Sequence, residues 1–180
     1  MHRLVLAALL LLSMGSIRAQ EVPRPAPEFT MTLPGGKPFA VHSLHGKVVV
    51  LTFISTTCPH CQKFTGELNA IQRDYGSQGV QVLECAFNTG VTEPMLQEFI
   101  NQFRPTFPAG MSPSPAVLNY LQYSSVRIPY VPHVVLIDRQ GTIRGDWAGE
   151  SPFMGNAASN LRAELNKLLA VQAVSASKGK

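Results

Sequence analysis

Two cysteines three positions apart, Cys58 and Cys61, occur in the stretch "TTCPHC" that spans residues 56–61. A pair at this spacing can bind a metal, close a small disulfide loop, or exchange electrons with other thiols. A disulfide across so few residues closes a very short loop, so it stabilises a fold poorly. The pair is therefore a candidate for metal binding or for thiol-disulfide exchange.

A structural zinc site needs four ligands, and the chain has only one further cysteine, Cys85. Cys85, His60 and His133 could complete a ligand set, but their spacing matches no standard zinc motif. Cys85 lies in an apolar run, which is typical of a small buried hydrophobic residue. The sequence therefore favours exchange without a metal, and a metal-binding or chaperone module is kept as an alternative.

Exchange needs one accessible thiolate and a second thiol that resolves the mixed disulfide. The β-branched and aromatic run "KVVVLTFIS" predicts a buried strand directly before the cysteines. Apolar residues at helical spacing predict a helix directly after: Phe64, Leu68, Ile71 and Tyr75. This junction places Cys58 at a helix N-terminus, which favours its thiolate, and places Cys61 one turn inward. Pro59 suits the first helical position, and His60 adds a donor or a positive charge beside the sulfur.

The remaining elements predict an α/β fold. The stretch "LPGGKP" indicates a turn between two short strands, and residues 79–87 indicate a second buried strand. Helices are expected after Thr92, over residues 116–121 and around Leu161. "VPHVVLID" and "TIRGDWAG" indicate two antiparallel strands. The order predicts a mixed central sheet with helices on both faces and an N-terminal β-hairpin.

The two ends of the chain differ from its middle. Residues 1–19 combine an early basic residue, an apolar run and small residues, which is the layout of a signal peptide. We expect an extended lead-in over 20–28, one domain over 29–170 and a flexible tail over 171–180. The apolar run is short for a membrane span, so membrane contact is expected only through an uncleaved leader. Export places the cysteines in an oxidising compartment.

Charge indicates no particular partner. The chain carries +4, and removal of the leader with Arg3 and Arg18 leaves 13 basic against 11 acidic residues. No cluster of basic and aromatic residues resembles a nucleic-acid surface, so we expect no nucleic-acid partner.

Two stretches resemble the thioredoxin-like superfamily, and within it the exported TlpA/ResA-type thiol-disulfide oxidoreductases. They are "APEFTMTLPGGKPFAVHSLHGKVVVLTFISTTCPHC" and "VPHVVLIDRQGTIRGDWAG", and the resemblance spans about residues 26–169. It implies a thioredoxin-like fold, Cys58 as the nucleophile and Cys61 as the resolving thiol. It also implies a cis bond between Val131 and Pro132, and substrate docking by Val131, Pro132 and His133.

The resemblance also implies the partners. The cysteine pair itself carries two electrons, so no cofactor is expected. The substrates would be cysteine-containing exported proteins, with a separate redox partner, and the location would be the periplasm or another extracytoplasmic space. A monomer is expected.

The chain departs from the family pattern at several positions. Thr57 replaces a common tryptophan, and Thr52 stands where thioredoxin has a buried aspartate. Glu67 and Glu84 are weak substitutes for that acid. The Pro-His pair between the cysteines resembles the DsbA oxidants, so we expect a potential less negative than about −270 mV, the value for thioredoxin. Whether the protein oxidises or reduces its substrates stays open.

A peroxiredoxin-like peroxidase is a further alternative, because that family shares an "APEF" entry. Its cysteine follows a Pro-x-x-x-Thr-x-x pattern, whereas this chain has Leu51 and Ser55 at those two places. Three tyrosines near residues 122–130 are a hypothesis for a substrate groove: Tyr120, Tyr123 and Tyr130.

Overall fold

The computed structural model describes residues 21–124 and 129–177, with side chains given as far as residue 170. The expected leader lies outside this part of the chain. The described residues contain eight strands: β1 (Arg24–Pro25), β2 (Thr30–Leu33), β3 (Lys37–Ala40), β4 (Val48–Ile54), β5 (Val80–Ala86), β6 (Ala109–Met111), β7 (His133–Ile137) and β8 (Thr142–Trp147). The four α-helices in the same residues are α1 (Pro59–Tyr75), α2 (Glu93–Phe103), α3 (Ser114–Tyr120) and α4 (Ala157–Ser177).

The strands form one mixed sheet in the order β1-β8-β7-β4-β5-β6-β2-β3. β4 pairs in parallel with β5 on one side and antiparallel with β7 on the other. The β2–β3 hairpin confirms the turn predicted at "LPGGKP". Of the pairings, one matters most for the site: Thr52 on β4 lies beside Glu84 on β5.

Apolar side chains cover both faces of the sheet. On one face, α1 and α4 contribute Phe64, Leu68 and Leu161 to a buried cluster. On the other face, Tyr120 from α3 packs with Phe53. Every residue of β4 is buried, as expected for a central strand covered on both sides. The predicted α/β class, with a mixed sheet and helices on both faces, is confirmed.

The structure adds two strands that the sequence pattern does not reveal. Arg24–Pro25, inside the predicted lead-in, pairs with β8 at the edge of the sheet. Ala109–Met111 pairs with β5 and β2, although it is only three residues long. Two or three residues are too few to show the alternation by which a strand is recognised.

The last helix is longer than the apolar pattern predicts. α4 continues to Ser177, into the range expected to be a tail, through residues rich in alanine, a strong helix former. Residues 178–180 lie outside the described part. Among the described residues, no helix is long and apolar enough to cross a membrane.

Candidate active site

The two cysteines lie where β4 passes into α1. Cys58 is the residue that caps the helix, with extended backbone angles, and Pro59 follows as the first helical residue. The Cys58 amide donates to Ser55 O at 3.1 Å, and the Gln62 amide donates to Cys58 O at 3.0 Å. This local geometry confirms that the helix begins directly after Cys58.

The thiols differ in accessibility. Cys58 is half-buried and Cys61 is fully buried, and both are free thiols. Burial is the main cause that raises the pKa of Cys61 far above its usual range. The hydrogen bond and charge of Cys58 and the charge of Glu84 raise it further, while the hydrogen bond with the Ser55 backbone opposes them. Cys58 is therefore the more accessible thiol of the pair, and Cys61 needs help to lose its proton.

Glu84 is a buried acid close enough to act on Cys61 electrostatically. Its side chain is fully buried on β5, beside Thr52. Burial raises the pKa of Glu84 to about 8, against a lowering hydrogen bond from Thr65. Glu67, by contrast, is partly exposed and lies 3.8 Å from the Lys63 ammonium. Of the two acids weighed as substitutes, Glu84 has the burial and the proximity to Cys61 that the chemistry requires.

Thr65 links Glu84 to the cysteine helix. Its hydroxyl lies 2.8 Å from Glu84 Oε1 and 3.1 Å from Cys61 O, one helical turn earlier. Within the described residues, Glu84 Oε2 and Thr52 Oγ1 have no hydrogen-bond partner, although both are buried. The arrangement can hold a proton near Cys61 and pass it on.

The segment before β7 faces Cys58. The peptide bond between Val131 and Pro132 is cis, as the resemblance implies. The Cys58 thiol lies 3.9 Å from Val131 O, within contact range for a sulfur donor. The Gly149 amide donates to Tyr130 O at 2.9 Å and so fixes the segment from the other side.

The two histidines of the predicted site have opposite environments. His60 is exposed at the start of α1. His133 is only 1% exposed, and its Nε2 lies 2.5 Å from Asp146 Oδ1. The ring of Tyr123 packs edge-on against it, with centroids 5.9 Å apart. The side chain of His133 can therefore influence Cys58 only through neighbouring residues.

Two grooves flank the Cys58–Val131 contact. One has a volume of about 370 Å³ and is lined by residues that include His60, Phe64, Tyr130 and Pro132. The other has about 200 Å³ and lies between Ser55, Asn88 and Pro129. Val131 lines both. An extended polypeptide has room on either side of Cys58.

Of the three tyrosines in the substrate-groove hypothesis, the structure places one on a groove. Tyr130 is 69% exposed and lines the larger groove. The prediction for Tyr120 is wrong: it is fully buried, because its ring packs against Phe29 and Phe53. Tyr123 packs against the same core. Residues 125–128 of that stretch lie outside the described part.

The alternative functions gain no support from the geometry. In the described part of the chain, no group of three or more His, Cys, Asp and Glu side chains could hold a metal. Leu51, where a peroxidase of the kind considered would have proline, is fully buried in β4. Cys85 is also fully buried, and burial raises its pKa far above the usual range, as expected for an inert core thiol.

Sequence reasoning missed three residues around the site: Thr65, Arg24 and Asp146. The sequence could have indicated Thr65, because it lies one helical turn after Cys61. Arg24 and Asp146 are 122 positions apart and meet only because β1 pairs with β8.

Comparison with known proteins gives a consistent result. The thiol-disulfide oxidoreductase ResA of Bacillus thuringiensis is 26% identical over 130 residues, which cover 72% of this chain and 71% of that protein. ResA of Geobacillus kaustophilus is 29% identical over 119 residues, 66% of this chain and 64% of that protein. A solved thiol:disulfide interchange protein of the thioredoxin family from Chlorobium tepidum has the same fold, with a TM-score of 0.67, 24% identity, and 84% and 99% of the two chains covered.

The family comparison covers residues 22–145, which include β1 to β7, both cysteines, Glu84 and Pro132. The predicted thioredoxin-like fold is confirmed by the solved structure, and thiol-disulfide oxidoreductase is the enzyme class that the curated relatives support. On the extent of this match, the chain belongs to the AhpC/TSA family.

Proposed function

We propose that this protein exchanges disulfides with cysteines of exported proteins, through Cys58 as the nucleophile and Cys61 as the resolving thiol. One observation carries the proposal. A half-buried cysteine caps a helix beside the Val131 carbonyl, and its buried partner lies one turn inward, next to an acid whose pKa is about 8.

The first step of substrate reduction takes place at Cys58. The N-terminus of α1 favours a thiolate at this position through its unpaired N–H groups. The thiolate attacks one sulfur of the substrate disulfide, a new S–S bond forms to Cys58, and the other substrate sulfur leaves as a thiolate. The Val131 and Pro132 backbone docks the substrate chain, and Tyr130, His60 and the larger groove contact its flanking residues.

The second step depends on the proton of Cys61. Glu84 as a carboxylate takes that proton, and the Cys61 thiolate attacks Cys58 Sγ. The Cys58–Cys61 disulfide forms, and the second substrate sulfur leaves as a thiolate. Two electrons have passed from the protein to the substrate, and Glu84 keeps the proton.

The same groups support the reverse reaction. A substrate thiolate attacks Cys58 of the oxidised protein, and Cys61 leaves as a thiolate that takes a proton from the Glu84 carboxylic acid. With a pKa of about 8, Glu84 is mostly protonated at neutral pH, which suits this role. His60 and the helix N-terminus stabilise the reduced state by stabilising the Cys58 thiolate. The proposed potential is therefore less negative than about −270 mV, the value for thioredoxin.

The proposed location is the periplasm or another extracytoplasmic space. The signal-peptide pattern of residues 1–19 supports it. An oxidising space is also where a reversible disulfide has substrates.

Trapping of the mixed disulfide tests the proposal. In Cys61→Ser, the resolving thiol is absent, so the substrate cannot be released. A peptide joined to glutathione by a disulfide should then leave a stable adduct on Cys58, measured by mass spectrometry. Cys58→Ser should form no adduct. Cys85→Ala is the matched control, because it changes the third cysteine and should retain full exchange. Equal adduct formation in Cys58→Ser would contradict the assigned nucleophile.

The potential is measured by equilibration of the purified protein with glutathione. His60→Pro should make the potential more negative, since it removes the polar ring beside Cys58. An unchanged potential would show that His60 has no part in setting it.

A further inference from the structure

Three ionisable side chains, largely removed from solvent, meet on the sheet next to the Pro132 segment: Arg24 and His133 each contact Asp146. The side chain of Asp146 is 3% exposed and lies between two bases. Its Oδ1 is 2.5 Å from His133 Nε2, and its Oδ2 accepts from Arg24 Nη2 at 2.6 Å. The chain of contacts crosses β7, β8 and β1.

A buried cluster of ionisable side chains is often no better than apolar packing at stabilising a sheet. Removal of charged groups from water costs several kcal/mol for each ion, and apolar side chains of similar volume often do as well or better. The surrounding face is already apolar, with Phe29 and Phe53 in its core. In the described part of the chain, Arg24 Nε and Nη1, His133 Nδ1 and Tyr120 Oη have no hydrogen-bond partner, which adds to the cost.

The cluster is connected to the reactive sulfur by a short path. His133 follows Pro132 directly, and Val131 is only two residues away. The Val131 carbonyl is the backbone group that contacts Cys58 Sγ, at 3.9 Å. On its N-terminal side, the segment is held by the bond from Gly149 to Tyr130. On its C-terminal side, the buried contact of His133 with Asp146 supplies the side-chain anchor.

We propose that Arg24, Asp146 and His133 form a positioning network that holds the Val131 carbonyl against Cys58, and so controls both substrate docking and the reactivity of the Cys58 sulfur. Arg24 acts through Asp146, Asp146 acts through His133, and none of the three touches the substrate. The docking part of the inference rests on the proposed function, whereas the effect on Cys58 does not.

The physical effect follows from the position of the carbonyl. The carbonyl oxygen lies 3.9 Å from the sulfur and so restricts approach to the sulfur from that side. The same backbone segment receives the substrate chain. If the anchor is lost, the segment moves away from Cys58, so the thiolate becomes more accessible while the docking surface becomes less well ordered. A broken network should therefore speed a simple chemical reaction at Cys58 and weaken substrate binding.

His133→Leu and Arg24→Met are the test variants, because each removes a polar group and keeps much of the side-chain volume. The first readout is the rate at which iodoacetamide alkylates Cys58 in the reduced, folded protein. It should rise about threefold to tenfold in both variants, a range typical of residues that act through packed neighbours. The second readout is KM for a peptide disulfide with glutathione, which should rise by a similar factor with kcat little changed.

The two readouts distinguish a failure of the positioning network from a failure of disulfide exchange. The alkylation measurement needs no substrate, so it remains decisive even if the wild-type protein exchanged no disulfide. In the variant that combines His133→Leu with Arg24→Met, the change in alkylation rate and in KM, as a free energy, should be smaller than the sum of the two single changes. Both substitutions interrupt the same path. His133→Gln, which can still donate to Asp146, should restore most of the wild-type values.

His42→Leu is the matched control. His42 also contacts a carboxylate, that of Glu28, but both side chains are largely exposed. Its loss should leave alkylation and KM unchanged. If His133→Leu and Arg24→Met lower only the melting temperature and leave both readouts at wild-type values, the network is purely structural and the proposal is overturned. If His133→Leu does not fold, Arg24→Met alone decides, since Arg24 lies at the edge of the sheet.

Discussion

The protein buries an acid in two places near its redox site, and the two surroundings differ. Asp146 accepts hydrogen bonds from Arg24 and His133, so its charge has partners on both sides. Among the described residues, the Thr65 hydroxyl contacts Glu84 and no cation does, and burial raises the pKa of Glu84 to about 8. Asp146 contacts His133, which follows by two residues the Val131 carbonyl that contacts Cys58, and Thr65 links Glu84 to Cys61 O.

The difference indicates two uses of a buried carboxyl group. An acid between two bases is costly to protonate or to remove, so it holds neighbouring elements in place. An acid without a cation changes protonation state near neutral pH, so it can give and take a proton. We therefore assign a positioning role to Asp146 and proton transfer to Glu84.

Asp146→Ala should cause the largest loss of stability. It leaves Arg24 and His133 buried without their acceptor, which should lower the free energy of unfolding by about 4 kcal/mol. Urea denaturation at pH 7 measures the loss. Asp74→Ala is the control: Asp74 also contacts two arginines, but it is 40% exposed, so its loss should cost less than about 1 kcal/mol. Similar losses in the two variants would contradict a special role for the buried cluster.

The pH dependence of stability should report Glu84. Its pKa is raised from 4.5 to about 8 on folding, so between these values the folded state binds more protons than the unfolded state. Stability must then fall as pH rises, by about 3 kcal/mol between pH 5 and pH 8. Glu84→Gln should remove this part of the slope, as seen in urea denaturation at several pH values. A slope unchanged in Glu84→Gln would show that Glu84 titrates normally.

The sequence predicts the reactive residues better than the residues that support them. Cys58 and Cys61 lie in local patterns of strand, helix and spacing, which a sequence shows directly, whereas the role of Pro132 is implied by the family resemblance. Glu84 is harder to assign, because its proximity to Cys61 depends on the parallel pairing of β4 with β5, and no local pattern gives that register. Arg24, one of the two partners of Asp146, lies in a strand of two residues, too short to be recognised.

Glu84→Gln should also slow the resolving step. Without a carboxylate to take the proton of Cys61, attack on the mixed disulfide should be slower by a factor on the order of 100 at pH 8, the lower end for general base catalysis. Stopped-flow mixing of the reduced protein with excess peptide disulfide, so that the Cys58 adduct forms rapidly, follows this step as release of the bound peptide. In the wild type, the rate should rise with pH and level off above about 8, as the Glu84 carboxylate forms.

Glu98→Gln, which changes an exposed acid on α2, is the control and should behave as the wild type. A wild-type rate in Glu84→Gln would remove Glu84 from the mechanism. Asp146→Asn should keep the dependence of this rate on pH, since Asp146 is assigned no proton. Loss of that dependence in Asp146→Asn would break the distinction between the two acids.

Thr65→Val should change the resolving step less than Glu84→Gln does. The reason lies in the hydrogen bonds that the Thr65 hydroxyl can make. The Thr65 hydroxyl has one proton and two neighbouring acceptors, Glu84 Oε1 and Cys61 O. When Glu84 is protonated, the acid donates to Thr65 and Thr65 donates to Cys61 O, so every group is satisfied. When Glu84 is ionised, Thr65 turns to the carboxylate and stabilises it.

Loss of the hydroxyl therefore destabilises the carboxylate more than the acid, and the pKa of Glu84 should rise. The midpoint in the pH profile of the resolving step should move up by about one pH unit, the size expected for one hydrogen bond to a charged group. Thr65→Ser keeps the hydroxyl and should keep the wild-type midpoint. A midpoint that shifts equally in Thr65→Ser and Thr65→Val would mean that packing around α1, and not the hydroxyl proton, sets the protonation of Glu84.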